Sequence, residues 1–135
     1  SRHPRRNHPM RLLCIFTVLV FSSCLTPVTE RAVHPGMIHT VAFTLAEGEE
    51  AGAADLVGEL ERELTPLPGV VALYAGLRAE QYTRPTNSQK FQVLLVVIFR
   101  DTRAHDEYEI HPIHRRLVER WTPKLAGIVI LDAVR

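Results

Sequence analysis

The chain has 135 residues, 46% of them hydrophobic and 23% charged, with a formal net charge of +1. This composition is typical of a soluble globular protein with one domain, and it excludes fully disordered, collagenous and multi-span membrane proteins. The charge is uneven, because residues 1–36 carry five arginines and one glutamate, which leaves residues 37–135 acidic overall. An acidic body offers no cationic face to phosphates, so nucleic-acid binding is not expected.

Residues 1–24 have the pattern of an export signal. Arginines precede an apolar stretch at residues 12–21, and two serines lead from it to Cys24. The stretch is too short to span a bilayer but matches the apolar region of a signal peptide. The Ser-Ser-Cys sequence at residues 22–24 also resembles a lipobox. Two outcomes therefore stay open, cleavage after Ser22 or lipidation at Cys24. A lipid anchor at Cys24 is the one membrane contact that the sequence predicts.

Residues 25–36 lack a hydrophobic period and predict a linker before a domain at residues 37–135. If residues 1–36 belong to the protein, we expect export as a periplasmic protein or a membrane-anchored lipoprotein. The alternative is that translation begins at Met37, which predicts a cytoplasmic protein. Both cysteines precede the linker, so the domain contains no disulfide and no thiolate metal site.

The domain begins with a predicted strand and a predicted helix. Strict alternation defines one face of the strand, formed by His39, Val41, Phe43 and Leu45. Acidic residues from Glu47 onward then open a helix. Its apolar residues at helical spacing are Ala53, Leu56, Val57, Leu60 and Leu64. The Pro-Leu-Pro-Gly sequence at residues 66–69 ends the helix.

Two further strands follow this helix. Residues 70–77 are rich in β-branched and aromatic side chains, which predicts a strand. A polar loop at residues 78–90 separates it from the next one. Residues 91–99 are almost continuously apolar, which is typical of a strand buried on both faces.

The last part of the chain predicts a broken helix and a closing strand. Residues 102–125 are helical in composition, but Pro112 cannot lie inside a helix without removing a hydrogen bond. We expect a bend at His111 and a second helical piece that begins at Pro112. We also expect Gly127 to end this piece and residues 128–133 to form the fourth strand.

The order of elements, β-α-β-β-α-β, predicts a ferredoxin-like α+β fold with both helices on one face of a four-stranded sheet. The helices cover one face only, so the other face needs a partner. A second copy of the chain, with its sheet facing the first, would cover it, and we therefore expect a homodimer.

The sequence Tyr-Glu-Ile-His-Pro-Ile-His at residues 108–114 holds the groups best suited to chemistry. A phenol and two imidazoles supply a hydrogen-bond donor and a base that titrates near neutral pH. On a straight helix Tyr108 and His114 would lie about 240° apart around the axis. The bend lets both side chains face one cavity.

Four segments together resemble the stress-responsive A/B barrel (Dabb) family. They are Met-Ile-His-Thr-Val-Ala-Phe-Thr-Leu at residues 37–45, Pro-Gly-Val at 68–70, the segment at 108–114, and Val-Ile-Leu-Asp at 129–132. The resemblance implies a homodimer in which two ferredoxin-like sheets form a dimeric α+β barrel. Most members of the family have no assigned reaction, and we expect no cofactor.

The resemblance also implies what the motif does. A small apolar molecule would bind in a cavity lined by Tyr108 and His114, with His39 and His111 as further ligand-binding residues. The alternative is an enzyme similar to the polyketide cyclases of this family, with His114 as general base and Tyr108 as oxyanion donor. A third interpretation gives the motif's histidines only the task of holding the bend.

Composition alone allows a metal site in the same region. Its candidate ligands are His105, Asp106, His111 and His114. Their spacing across the bend and the lack of cysteine do not favour a site, so we expect no metal.

Overall fold

The computed structural model of the protein describes residues 36–135. The predicted export signal, including Cys24, lies outside these residues, as does the predicted linker except for Gly36. Among the described helices, none has the length and apolar character needed to cross a bilayer.

Four strands and three α-helices make up the described part of the chain. The strands are β1 (Met37–Leu45), β2 (Val70–Leu77), β3 (Val93–Phe99) and β4 (Leu125–Val134). The helices are α1 (Ala53–Leu64), α2 (Thr102–Glu109) and α3 (Pro112–Trp121), with 3-10 turns at Glu50–Gly52 and Thr122–Lys124. Neighbouring strands are antiparallel and follow the order β2-β3-β1-β4. This is the ferredoxin-like α+β fold that the sequence predicts.

The hydrophobic core lies between the sheet and the helices. In β1 the alternation is as predicted, because His39, Val41 and Phe43 are buried while their neighbours are half-buried. Helix α1 packs against β2 and β3 and buries Leu56 and Leu60 completely, as its spacing predicts.

The start of α1 differs from the prediction. The helix begins at Ala53, and the acidic residues from Glu47 onward belong to a turn and a 3-10 turn before it. Gly48 has a φ of +88°, a conformation that glycine adopts without strain. Its N–H donates to a carboxylate oxygen of Glu50, at 2.8 Å. This left-handed residue prevents the helix from extending back to Glu47.

The break between α2 and α3 lies where the sequence predicts it. The side chain of Asp101 caps α2 by accepting the N–H of Ala104 at 2.8 Å. His111 has an extended backbone, as expected before a proline, and Pro112 is the first residue of α3.

The end of α3 corrects the prediction made from Gly127. The helix ends at Trp121, and Gly127 lies within β4, which begins at Leu125. Pro123 explains the earlier end, because it has no N–H to continue the helical hydrogen bonds and instead lies in the 3-10 turn.

The sheet face opposite the helices is apolar and uncovered in the protomer. Its strongly exposed residues are Tyr74, Val129 and Leu131, at 64%, 59% and 65% exposure. The β3 residues on this face, Leu94, Val96 and Ile98, are half-buried. Within one chain β3 is therefore buried on one face and half-buried on the other. The burial of both faces that its sequence predicts requires a second sheet.

Candidate functional site

A cavity of about 370 Å³ lies between the helices and the helix-facing side of the sheet. Most of its wall is apolar and comes from both layers, with side chains such as Val41, Phe43, Leu60, Leu64, Leu95, Leu117, Trp121, Ile128 and Ile130. Polar side chains also line the cavity, and they include those of His39, Tyr108, Glu109 and His114. The structure thus brings three of the sequence-predicted site residues together around one cavity.

His39 is held by a carboxylate from the neighbouring strand. β1 and β4 pair so that His39 lies opposite Asp132, and its Nδ1 is 2.7 Å from Asp132 Oδ1. Because an ionised carboxylate only accepts, Nδ1 carries a proton, and in the neutral ring Nε2 then carries the lone pair. His39 is 4% exposed, and Asp132 supplies the partner that a buried polar ring requires.

Tyr108 and His114 form the second part of the polar group. Their ring centroids are 4.3 Å apart, and Tyr108 is 2% exposed. Nδ1 of His114 lies 3.2 Å from the backbone carbonyl oxygen of Glu109. A carbonyl oxygen only accepts, so Nδ1 donates and, in the neutral ring, Nε2 keeps its lone pair for a ligand or a proton.

Burial also sets the protonation of these two side chains. It raises the pKa of the Tyr108 phenol, with a further increase from the charge of Glu109, so the hydroxyl remains a donor at neutral pH. Burial lowers the pKa of His114, and the hydrogen bond to the Glu109 carbonyl only partly offsets that effect. The neutral imidazole is thereby favoured at neutral pH.

His111 lies apart from the residues that line the cavity. Its Nδ1 accepts the N–H of Ile113 at 3.2 Å, and the side chain thus caps α3. The structure therefore gives His111 the task of holding the helix break, instead of the ligand contact that the sequence suggested.

His105, which lies outside the motif at residues 108–114, and Glu109, a motif residue to which the sequence analysis gave no role, also lie near the cavity chemistry. The His105 ring lies 5.0 Å from the ring of His39, centroid to centroid, and its Nε2 is 3.7 Å from Glu109 Oε1. His39, His105 and Glu109 form a group whose potential metal-ligand atoms all lie within 4.8 Å of one another. This group shares only His105 with the set considered from composition. The signal in the sequence was the four-residue spacing of His105 and Glu109, which places both on one helix face.

Comparison with known families identifies the domain that contains this site. A family model described as Stress responsive A/B Barrel Domain, or Dabb, matches residues 37–135. The chain belongs to this family. The Dabb domain thus contains all the site residues described above, and the resemblance seen in the sequence is confirmed. No curated protein matches the chain.

Solved structures with the same fold resemble the Dabb domain at low sequence identity. A Dabb family protein with a ferredoxin-like fold from Mesorhizobium loti has a TM-score of 0.60 at 23% identity, covering 73% of this chain and 95% of that one. A dimeric ferredoxin-like protein of unknown function from Thermobifida fusca has a TM-score of 0.60 at 15% identity, covering 76% and 93%. A protein from Arabidopsis thaliana has a TM-score of 0.63 at 15% identity, covering 73% and 94%. At these identities the likeness shows the fold alone.

Proposed function

We propose that this Dabb domain binds a small, largely apolar molecule that carries a polar head group. The cavity supports the proposal, because Tyr108 and His114 line it together with many apolar side chains. Its volume of about 370 Å³ is within the range typical of small-molecule sites. The Tyr108 hydroxyl would donate to an oxygen of the head group, while Nε2 of His114 would accept from a hydroxyl or an acidic C–H.

The single tryptophan of the chain, Trp121, lines the cavity and makes ligand binding measurable by fluorescence. The probe is a methyl ketone with a heptyl tail, which combines an apolar chain with one hydrogen-bond acceptor. We expect a saturable change in Trp121 fluorescence. Tyr108→Phe should weaken binding by roughly 2–10-fold, the effect of one lost hydrogen bond.

The position of the probe is tested by filling the cavity. Ile130 lines it, so Ile130→Phe should weaken binding of the ketone by about tenfold or more through steric exclusion. The control is Ile110→Phe, at an exposed position outside the cavity lining. Equal affinity in wild type and Ile130→Phe would contradict the proposal, since the probe would then bind elsewhere.

The hydrogen bond of His114 favours a second candidate function, a cyclase-like enzyme. Nε2 of His114 would remove a proton from the carbon next to a carbonyl, and the C–H electron pair would form an enolate. The Tyr108 hydroxyl would donate to the enolate oxygen. The enolate carbon would then attack a second carbonyl of the same molecule and form the carbon–carbon bond that closes the ring. The π electron pair of the attacked carbonyl would move to its oxygen, which would take the proton back from the protonated His114.

Hydrogen–deuterium exchange next to the carbonyl of the same ketone tests the first step. Mass spectrometry in D₂O should show faster exchange with wild type than in buffer. His114→Ala should lower the catalysed rate by about 10²–10⁴. The control is His111→Asn, which keeps a helix-capping side chain and should exchange the ketone at the wild-type rate. An unchanged rate in a folded His114→Ala protein would remove His114 as the base and leave only the binding function.

We further propose that the protein is a homodimer in which the uncovered sheet faces meet. The apolar character of that face supports this, as does the description of several solved structures with the same fold as dimeric. A second sheet would remove Tyr74, Val129 and Leu131 from water, which is favourable in proportion to the apolar area buried.

We propose export from the sequence of residues 1–24. Either Cys24 is lipidated, or the chain is cleaved after Ser22 and Cys24 stays unmodified in the product. Expression of the whole chain in a bacterium, followed by fractionation, tests this. We expect a shortened product in the periplasm or membrane fraction, and Cys24→Ala should release a membrane-bound product. A full-length product confined to the cytosol would contradict export.

A further inference from the structure

Three side chains of types that can bind metal ions, those of His39, His105 and Glu109, lie close together beside the cavity. Two of them, His39 and Glu109, also line the cavity, and His105 lies one helical turn before Glu109 on α2. We propose that His39, His105 and Glu109 bind a divalent first-row transition metal ion such as Zn²⁺. The site is additional to the proposed ligand binding by Tyr108 and His114, which does not require the ion.

His39 already has the orientation of a metal ligand. Its Nδ1 is engaged by Asp132 at 2.7 Å, which directs the lone pair to Nε2. Histidines that bind metal ions generally donate their second N–H to a carboxylate or a carbonyl in this way, which fixes the ring and makes the ligating nitrogen more basic. Asp132 would therefore act as a positioning residue for the site.

His105 supplies the second observation, because its Nε2 is a buried polar atom without a hydrogen-bond partner among the described residues. The nearest carboxylate oxygen, Glu109 Oε1, is 3.7 Å away, which is too long for a hydrogen bond. Leaving a buried polar atom unpaired costs stability, so native structures seldom keep one without a reason. A bound cation would give this nitrogen a partner.

The ligand set and its spacing fit a small divalent cation. Two imidazole nitrogens and one carboxylate oxygen form a set used by zinc sites that leave a fourth position open. The three atoms lie within 4.8 Å of one another, whereas ligands on a tetrahedral zinc ion are about 3.4 Å apart. The Glu109 side chain is partly exposed, so it can rotate and bring its carboxylate oxygen closer to the two histidine nitrogens.

Charge and access also favour the site. The carboxylates of Glu109 and Asp132 balance the charge of a divalent ion, which buried histidines alone would not. Glu109 remains open to solvent, so an ion can enter from that side. The competing explanation is a simple ion pair between a protonated His105 and Glu109, which would not respond to added metal.

Titration with Co²⁺ alone is the direct test, because cobalt substitutes for zinc and absorbs visible light when bound. The full chain is first treated with a chelator and then titrated. We expect one Co²⁺ per chain with the absorption bands of a four- or five-coordinate ion, and loss of these bands when Zn²⁺ is added. His105→Asn and Glu109→Gln should each abolish these bands. Asp132→Asn should weaken binding by about 10–100-fold.

Matched controls separate this site from other histidines and carboxylates. Glu107→Gln changes an exposed acid on the same helix, and His111→Asn changes a histidine outside the group; both should bind Co²⁺ as wild type does. Histidines outside the described residues remain in every variant, so they contribute the same background. Equal Co²⁺ affinity and spectra in wild type and His105→Asn would overturn the proposal, as would the lack of binding by wild type.

A second measurement guards against variants that fail to fold. Zn²⁺ should raise the thermal unfolding midpoint of wild type, because an ion that binds only the folded chain stabilises it. The unfolding midpoint of His105→Asn without metal, compared with that of wild type, shows whether the variant folds. Added Zn²⁺ should leave the midpoint of His105→Asn unchanged. An equal increase in both proteins would overturn the site. Binding of the ketone in the presence of chelator tests the proposed function separately.

Discussion

Glu59 joins helix α1 to helix α3 through its carboxylate. Trp121 Nε1 donates a hydrogen bond to Glu59 Oε2 at 2.8 Å, and the Arg120 guanidinium pairs with the same carboxylate. Burial alone would raise the pKa of Glu59, but the hydrogen bonds from Trp121 and Arg120 outweigh it and hold the pKa below its usual value. The ionised form therefore stabilises the fold.

The first prediction concerns the charge of this residue. Glu59→Gln keeps the shape and an acceptor for Trp121, so at neutral pH it should lower stability by no more than about 1 kcal/mol. The contribution of a carboxylate with a lowered pKa is complete above its unfolded value, near pH 4.5, and is lost as the pH falls through the folded value. Thermal unfolding at pH 7 and pH 3 should show a difference at pH 7 that narrows at pH 3.

The matched control is Glu61→Gln, at an exposed position on the same helix. It should have little effect at either pH. A stability difference for Glu59→Gln that is the same at both pH values would show that the ionised carboxylate is not the cause.

At the level of elements, Gly69 allows α2 to pack closely against the start of β2. It has a φ of +82°, and a Cβ at this position would lie 2.4 Å from the Cβ of Ala104 on α2. Two separate costs therefore oppose any side chain here. One is the left-handed backbone, and the other is the contact with the helix.

The second prediction separates these two costs. Gly69→Ala should destabilise the fold by about 1–3 kcal/mol from backbone strain alone. The close contact of the new methyl group with Ala104 should add to this loss. Gly48→Ala is the control, since Gly48 has a φ of +88° but no atom lies within 4 Å of the point that a Cβ would occupy there. In urea unfolding, Gly69→Ala should lose more stability than Gly48→Ala.

A double substitution tests the contact with Ala104 directly. Ala104→Gly removes the opposing methyl group at a cost of about 1 kcal/mol in the helix. Combined with Gly69→Ala, the total loss should be smaller than the sum of the two single losses, because the contact is relieved. Additive losses would contradict a steric role for Ala104.

For the whole molecule, the third prediction concerns assembly. Light scattering of the full chain at micromolar concentration should give the mass of a dimer. Leu131→Glu should shift the protein to the monomer, because a charge on the uncovered sheet face would be buried without a partner. Ile110→Glu, at a position 62% exposed beyond the end of α2, should remain dimeric. A wild-type monomer would contradict the proposed assembly.

The local parts of the fold were predictable because they depend on neighbours in the chain. The alternation around His39 determines which face of β1 is buried, and Pro112 determines where α3 begins, through its missing N–H and the restriction it places on His111. The bend brings Tyr108 and His114 to one cavity, as the spacing of the motif requires. For these features the sequence by itself was sufficient.

The remaining features were decided by tertiary structure. Asp132 reaches His39 across 93 positions, because the register of β1 and β4 places them opposite one another. His105 joins His39 for a similar reason, since only the packing of α2 on the sheet brings their rings within 5.0 Å. Local periodicity determines which face of a strand is buried, but it does not choose among registers that differ by two residues, and it does not give the distance between layers. The motif thus determined where the cavity chemistry lies, and the strand pairing and helix packing determined which further side chains share it.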